Sequence, residues 1–274
     1  MTDPSGHTTI LDAKGIAKRF GSVVALRDAS LHVRRGQVVA LMGANGAGKS
    51  TFVKILTGAL KADSGHVRIK GRESLVGSPA AARRSGLVPV YQEPSLIPDL
   101  DVADNLRLCD TPVEPFRHWV AELGISGLRL DDRIGHLPLA TLRILDLARA
   151  VAVEPEVLLL DEMTAALPTD LVDRVLSVVR AQADAGRAVI YISHRFTEIA
   201  ALCDRATVLR DGLTVGDLAI EPGIEEQIVE LMLGDAANVA RTAPGATTYG
   251  RHDAIPRLRV RGLATGTRLN DVSL

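Results

Sequence analysis

Residues 38–53 read VVALMGANGAGKSTFV, and this stretch decides what the rest of the chain must be. Val38–Met42 is an unbroken apolar run, the pattern of a short strand buried on both faces. Gly43-Ala44-Asn45-Gly46-Ala47-Gly48-Lys49-Ser50-Thr51 follows and fits the phosphate-binding pattern G-x-x-x-x-G-K-[ST]. Phe52–Leu56 then suits a helix. Strand, glycine loop and helix start are the context that gives this motif meaning. Three glycines let backbone N–H groups converge with no Cβ in front of a phosphate. A helix starting near Lys49 adds free N–H groups and the positive end of its dipole. Lys49 is expected to reach the β- and γ-phosphates, and the Ser50 hydroxyl to bind Mg²⁺.

Working outward, composition narrows the class. At 46% hydrophobic and 24% charged residues, the 274-residue chain reads as a folded globular protein with room for one large or two modest domains. A net charge of −1 offers no basic field for nucleic acid, and 3% aromatics leave few platforms for base stacking. Two cysteines, Cys109 and Cys203, make neither a disulfide framework nor a metal-ligand spacing. No apolar stretch approaches the roughly 20 residues of a membrane-spanning helix, and the N-terminal MTDPSGHTT lacks the marks of a secretion signal. Work at a membrane would require docking on another protein there.

Before the loop, Ile10–Lys18 and Val23–Val33 read as β-rich, with apolar residues two apart. After it, His66–Ile69 alternates as a strand, and Leu87–Tyr91 is a further short strand weakened by Pro89. Residues 102–153 turn helical and read as a subdomain inserted into an α/β core. Glu156–Leu160 and Ala188–Ile192 are continuous apolar strands, separated by a helix over Thr169–Ala183. Shorter helices at Phe196–Leu202 and Glu225–Leu233 flank a closing strand pair, Ala206–Leu209 and Leu213–Leu218. The alternation predicts a mostly parallel sheet with helices on both faces. Residues 238–256 turn to Ala, Gly, Thr and Pro and read as a linker. Beyond it, PRLRVRGLATGTRLNDVSL repeats the form of ILDAKGIAKRFGSVVALRDASL, each ending in Asp-x-Ser-Leu: Asp28–Leu31 and Asp271–Leu274. That is a repeat cut off at its start.

Two more constellations carry chemistry. Leu158-Leu159-Leu160-Asp161-Glu162 sets two carboxylates at the end of a buried strand, where open α/β sheets bind ligands. Asp161 is expected to hold the Mg²⁺ complex, and Glu162 to orient and activate a water against the γ-phosphate. His194 ends the next strand and can donate to a γ-phosphate oxygen. Gln92 lies just past another strand, where its amide can ligate Mg²⁺ or a water.

The order of phosphate loop, Gln92, Leu158–Glu162 and His194 resembles the ATP-binding subunit of ABC transporters. Gln92-Glu93-Pro94, Tyr191–Arg195 and Glu230–Gly234 are similar to the monosaccharide-importer class (ribose/galactose or autoinducer type), which carries two such domains in one chain. The resemblance covers residues 9–237, with the helical subdomain at 102–153. It makes 257–274 the start of a second domain. It implies a P-loop NTPase core with an N-terminal antiparallel β subdomain, ATP and Mg²⁺ as cofactors, and Phe20 as the ring that stacks on adenine. As partners it implies integral-membrane permease subunits, a solute-binding protein acting indirectly, and a second ABC domain. The place implied is the cytoplasmic face of the membrane.

Two departures stand out. The family's signature, Leu-Ser-Gly-Gly-Gln, is here Leu137-Pro138-Leu139-Ala140-Thr141. After Glu162 the usual Pro is Met163, and Pro168 replaces an Asp. The chain therefore keeps groups that bind and cut ATP while lacking the half-site it would lend a partner. The expected function is an ATPase energising import of a sugar or sugar-like solute. The alternatives are a soluble ABC-type ATPase in translation or DNA repair, and a non-hydrolysing regulatory fragment.

Overall fold

The computed structural model describes residues 8–73, 78–165 and 167–234, with the backbone of two short strands at 263–265 and 269–272. The chain divides into two compact units, residues 1–234 and 235–274. In the first, β1 (Thr9–Phe20) and β2 (Val23–Arg34) precede β3 (Val38–Met42), which feeds α1 (Lys49–Leu56). Then come β4 (Ser64–Ile69), β5 (Arg72–Glu73), α2 (Pro79–Arg84) and β6 (Leu87–Val90). The helical region comprises α3 (Val102–Leu108), α4 (Val113–Glu122) and α5 (Leu139–Ala152). The remainder is β7 (Val157–Asp161), α6 (Thr169–Asp184), β8 (Ala188–Ile192), α7 (Phe196–Leu202), β9 (Arg205–Arg210), β10 (Leu213–Ala219) and α8 (Glu225–Leu233).

Ten strands form one sheet in the order β5-β4-β1-β2-β10-β9-β3-β8-β7-β6. From β9 to β6 all neighbours run parallel, whereas β1, β2, β4 and β5 pair antiparallel, as do β9 and β10. The parallel expectation thus holds for the half that carries the site. Apolar runs such as VVALM arise because both sheet faces are covered. Val38, Ala40 and Met42 enter the core shared with α5 and α6, while Val39 and Leu41 enter the one shared with α1. Phe52, Val53, Ile55 and Leu56 seal α1 into that second core.

Residues 102–153 resolve into separate helices, and their apolar side chains join the same core as the sheet; Leu106, Phe116, Ile134 and Leu145 cluster with Leu158 and Leu160. Sequence periodicity did not show α2 or β5. α2 begins with Pro79 behind Ser78, whose hydroxyl accepts the Ala81 N–H, a short cap-driven helix with little apolar period. Pro89 does lie within a strand, paired with Leu159, because β6 is the outermost strand of the sheet and has a free side.

In the second unit, β11 (Leu263–Thr265) pairs antiparallel with β12 (Leu269–Val272). The sequence repeat equates Leu263 with Ile16 and Val272 with Ala29. The pairing equates them too: Ile16 faces Ala29 and Lys18 faces Leu26, as Leu263 faces Val272 and Thr265 faces Leu269. Both hairpins carry a register shift at the same step. The expected linker at 238–256 and strand at Arg257–Val260 lie outside the described residues.

Candidate functional site at the ends of four parallel strands

β3, β8, β7 and β6 are adjacent and parallel, so their C-terminal ends open on one rim of the sheet. The loop after β3 carries Lys49, the end of β7 carries Asp161 and Glu162, β8 leads to His194, and β6 to Gln92. Convergence of strand ends is the general reason ligands bind there. A cavity of about 490 Å³ is lined by Asn45, Gly46, Gly48, Lys49, Ser50, Thr51, Gln92, Asp161 and Glu162. A second, of about 480 Å³, shares Asn45, Lys49 and Glu162 and adds Gly43 and His194. Of the expected site residues, Ala47 is a buried member of the loop and, like Phe20, is on neither wall.

Lys49 Nζ donates to the carbonyls of Gly43 at 2.5 Å and Ala44 at 3.1 Å. Its side chain therefore folds back over the loop that precedes it. Burial lowers its pKa below the ordinary 10.5, opposed by the charges of Glu162 and then Asp161. Burial raises the Asp161 carboxyl, as does Glu162, while Lys49 pulls it down. One cation thus faces two carboxylates in a partly dry site.

The glycines divide in a way the motif does not reveal. A Cβ on Gly48 would stand 2.6 Å from Leu26 Cδ2 and 2.8 Å from the Ala25 carbonyl, and one on Gly43 would strike the Leu209 carbonyl. A Cβ on Gly46 would meet nothing within 4 Å. Gly48 and Gly43 therefore must also clear the protein's own β2 and β9, a packing demand the motif alone does not state.

Glu162 has φ 46°, a left-handed conformation uncommon for a residue other than glycine, Asn or Asp. Its backbone is fixed from several sides. The Glu162 N–H donates to the Ile192 carbonyl at 2.9 Å. Arg143 of α5 donates to the carbonyls of Met163 at 2.9 Å and Glu162 at 3.4 Å. His194 Nδ1 lies 3.7 Å from the Glu162 carboxylate, so the two side chains share one end of the site.

Phe20 is 49% exposed at the β1–β2 turn, with the Lys18 ammonium 5.7 Å from its ring centre. It is not a core residue. Val23, Val24 and Ala25, just past that turn, supply the cavity's apolar wall. Sequence reading missed these, and Arg143 as well. Val23 and Val24 are consecutive and both exposed at the start of β2, so alternation does not single them out, and nothing in spacing alone brings β2 against the loop.

Residues 26–165 match the family described as ABC transporter. The chain belongs to that family. A ribose import ATP-binding protein of Rhizobium johnstonii is 37% identical over 272 residues, which cover 95% of this chain and 52% of that protein. Another, from Streptomyces avermitilis, is 39% identical over 247 residues, covering 85% of this chain and 49% of the other. This ABC chain thus spans about half the length of the curated relatives it matches. Among solved structures, an ATP-binding cassette of an ABC transporter in its ADP conformation aligns with TM-score 0.71 and 26% identity, covering 82% of this chain and 99% of that one. A nucleotide-free cassette aligns with TM-score 0.72 at 25% identity, with the same coverage. The residues matched by the family include loop 43–51 and the pair Asp161–Glu162. Among the described residues, no helix is long and apolar enough to cross a membrane.

Proposed function

We propose that this ABC domain binds ATP with Mg²⁺ at the rim formed by loop 43–51 and the ends of β6, β7 and β8, and hydrolyses it to energise import of a sugar or sugar-like solute. The observation that carries the reading is the shared wall of Lys49, Ser50, Gln92, Asp161 and Glu162 in one cavity. The residues fit the ligand's chemistry. Lys49 and the N–H groups at the start of α1 suit phosphate oxygens. Ser50, Gln92 and Asp161 are oxygen donors suited to a hard divalent cation. That cation would neutralise charge on the phosphates. Glu162, held in its left-handed turn beside His194, orients and deprotonates the attacking water. His194 donates to the phosphate oxygens. Phe20, exposed beside the apolar Val23–Ala25 wall, stacks on the base.

Several features support transport. Relatives carrying the words ribose import run at 37–39% identity along this chain. They are about twice as long, and the β11–β12 hairpin repeats the register of β1–β2. Both facts favour residues 9–237 as one ABC domain, 238–256 as a linker and 257–274 as the start of a second. Integral-membrane permease subunits and, through them, a solute-binding protein are the partners proposed, with the chain peripheral at the cytoplasmic face. The degenerate segment Leu137–Thr141 makes the site that this domain would complete for its partner the weaker of the two.

Calorimetric titration of the chain with ATP, with and without Mg²⁺, tests the nucleotide assignment. Saturable one-to-one binding that tightens with Mg²⁺ is expected; heats no larger than dilution would reject it. Turnover on adding a companion domain that bears Leu-Ser-Gly-Gly-Gln tests the rest. Turnover that needs residues 137–141 instead would overturn the asymmetry.

A further inference from the structure

Behind the site is a polar cluster that the chemistry above does not use. Glu198 of α7 is 4% exposed, on the same face as the buried Ile199 and Leu202. Its Oε2 accepts three hydroxyl groups: Tyr191 at 2.7 Å, Ser193 at 2.8 Å and Thr164 at 2.9 Å. Its Oε1 takes the Arg195 guanidinium at 3.1 Å. Burial alone would raise this carboxyl, yet hydrogen bonds from Tyr191, Ser193, Thr164 and Arg195 outweigh it and hold it below the ordinary range. A carboxylate so deep in a core is expensive unless fully bonded, and this one is.

The donors come from two separate parts of the chain. Tyr191, Ser193 and Arg195 belong to the end of β8 and the loop that carries His194. Thr164 belongs to the turn that follows Glu162. The Ser193 hydroxyl also accepts the Arg195 N–H at 3.1 Å, closing the His194 loop on itself. Turn bonds on the other side, Ala165 N–H to the Glu162 carbonyl at 3.3 Å and Leu167 N–H to the Thr164 carbonyl at 3.0 Å, carry the constraint back to Glu162.

From this we infer that Glu198 is a positioning residue that clamps the His194 loop to the turn after Glu162, so that the two groups at one end of the site keep a fixed separation. Glu198 lines neither of the two cavities at the site. It acts through Thr164 on one side and Ser193 and Arg195 on the other. The catalytic consequence rests on the proposed roles of Glu162 and His194; the clamp itself does not.

Thr164→Val removes the bridging hydroxyl while keeping shape, Thr164→Ser keeps the hydroxyl, and Glu198→Gln removes the charge. Hydrogen exchange on the full 274-residue chain reads the clamp without any need for activity. Thr164→Val and Glu198→Gln should raise exchange about tenfold or more at both 163–165 and 193–195, with β8 interior amides unchanged, and Thr164→Ser should restore protection. Exchange that rises only in the mutated segment, or rises throughout the domain, overturns the clamp. Single-turnover ATP hydrolysis with the signature-bearing companion domain added supplies the functional arm: Thr164→Val should slow the chemical step at unchanged nucleotide affinity, with rescue by Thr164→Ser. Loosened loops with full hydrolysis rate would overturn the positioning role. Loosened loops in a chain where Glu162→Gln changes nothing would instead remove the hydrolytic reading and leave the clamp standing.

Discussion

Two helix N-termini in this domain face opposite fates. α1 begins at Lys49 behind Gly48, whose φ of 103° turns the loop so that the helix opens into a lined cavity. α5 begins at Leu139 behind Pro138, which has φ −60°, no N–H to give and no capping side chain. Leu139 itself is 52% exposed. Both ends carry the same dipole, so the dipole is not what makes a phosphate site. The difference lies in the left-handed glycine, the returning lysine and the carboxylates across the rim. α5 has a different use: Arg143, in its second turn, anchors the backbone of Glu162 and Met163.

The sharpest way to break this contrast is at the chemistry. Glu162→Gln should cut hydrolysis by about 10²- to 10⁴-fold in a single-turnover assay with the paired domain, at unchanged ATP affinity. Undiminished hydrolysis would remove Glu162 from its role. Next in size, Lys49→Ala should weaken ATP binding by roughly ten- to a hundredfold in calorimetry, the loss of one or two charge-assisted bonds.

A third test separates the glycines. Gly48→Ala should lower stability by about 2 kcal/mol or more in denaturant titration, since the Cβ would meet Leu26 and the Ala25 carbonyl in a left-handed residue. Gly46→Ala, with open space and φ +83°, should cost only about 1 kcal/mol. Equal effects would undo the division between packing and open glycines.

Smaller still is a pH effect. The Asp161 carboxyl is raised above 3.8 by burial and by Glu162, so the folded chain holds that proton more tightly than the unfolded chain does. Its contribution to stability is full below 3.8 and is lost as pH rises through the folded value. Asp161→Asn should flatten that decline in melting temperature and make the nucleotide-free chain more stable at neutral pH. A steeper decline would reverse the sign. Least affected is the second helix end. Rewriting 137–141 as Leu-Ser-Gly-Gly-Gln should change the chain's own ATP affinity by no more than about twofold, because the segment lines neither cavity at loop 43–51.

How much of this was legible in the sequence depended on whether a local pattern carried it. VVALM, VLLL and AVIYI announced themselves, because strands covered on both faces must be apolar at every position. The loop did too, because its glycines and lysine are consecutive. Glu198 was less visible, although a carboxylate among Phe196, Ile199 and Leu202 signals a buried acid on an apolar helix face. Its partners could not be read, since Thr164 and Ser193 meet only when β7 and β8 lie side by side. Arg143 reads as an ordinary helix charge until α5 packs against the turn after β7. The tail hairpin shows the opposite case: the sequence showed a repeat of form only, and the pairing of β11 with β12 matches that of β1 with β2 at the aligned positions.

Pro89, which weakened the forecast of β6, has a consequence for how copies of this protein behave together. A sheet this wide exposes two raw edges, each able to recruit a strand from a neighbouring molecule. Among the described residues one edge is β5, two residues long, and the other is β6, four residues interrupted by a residue that cannot donate to a ladder. On the β6 side the rim offers no long template for an intermolecular strand. Pro89→Val would be expected to leave the fold intact and shorten the lag of fibril growth, a colloidal effect with no trace in the folded monomer's affinity for nucleotide.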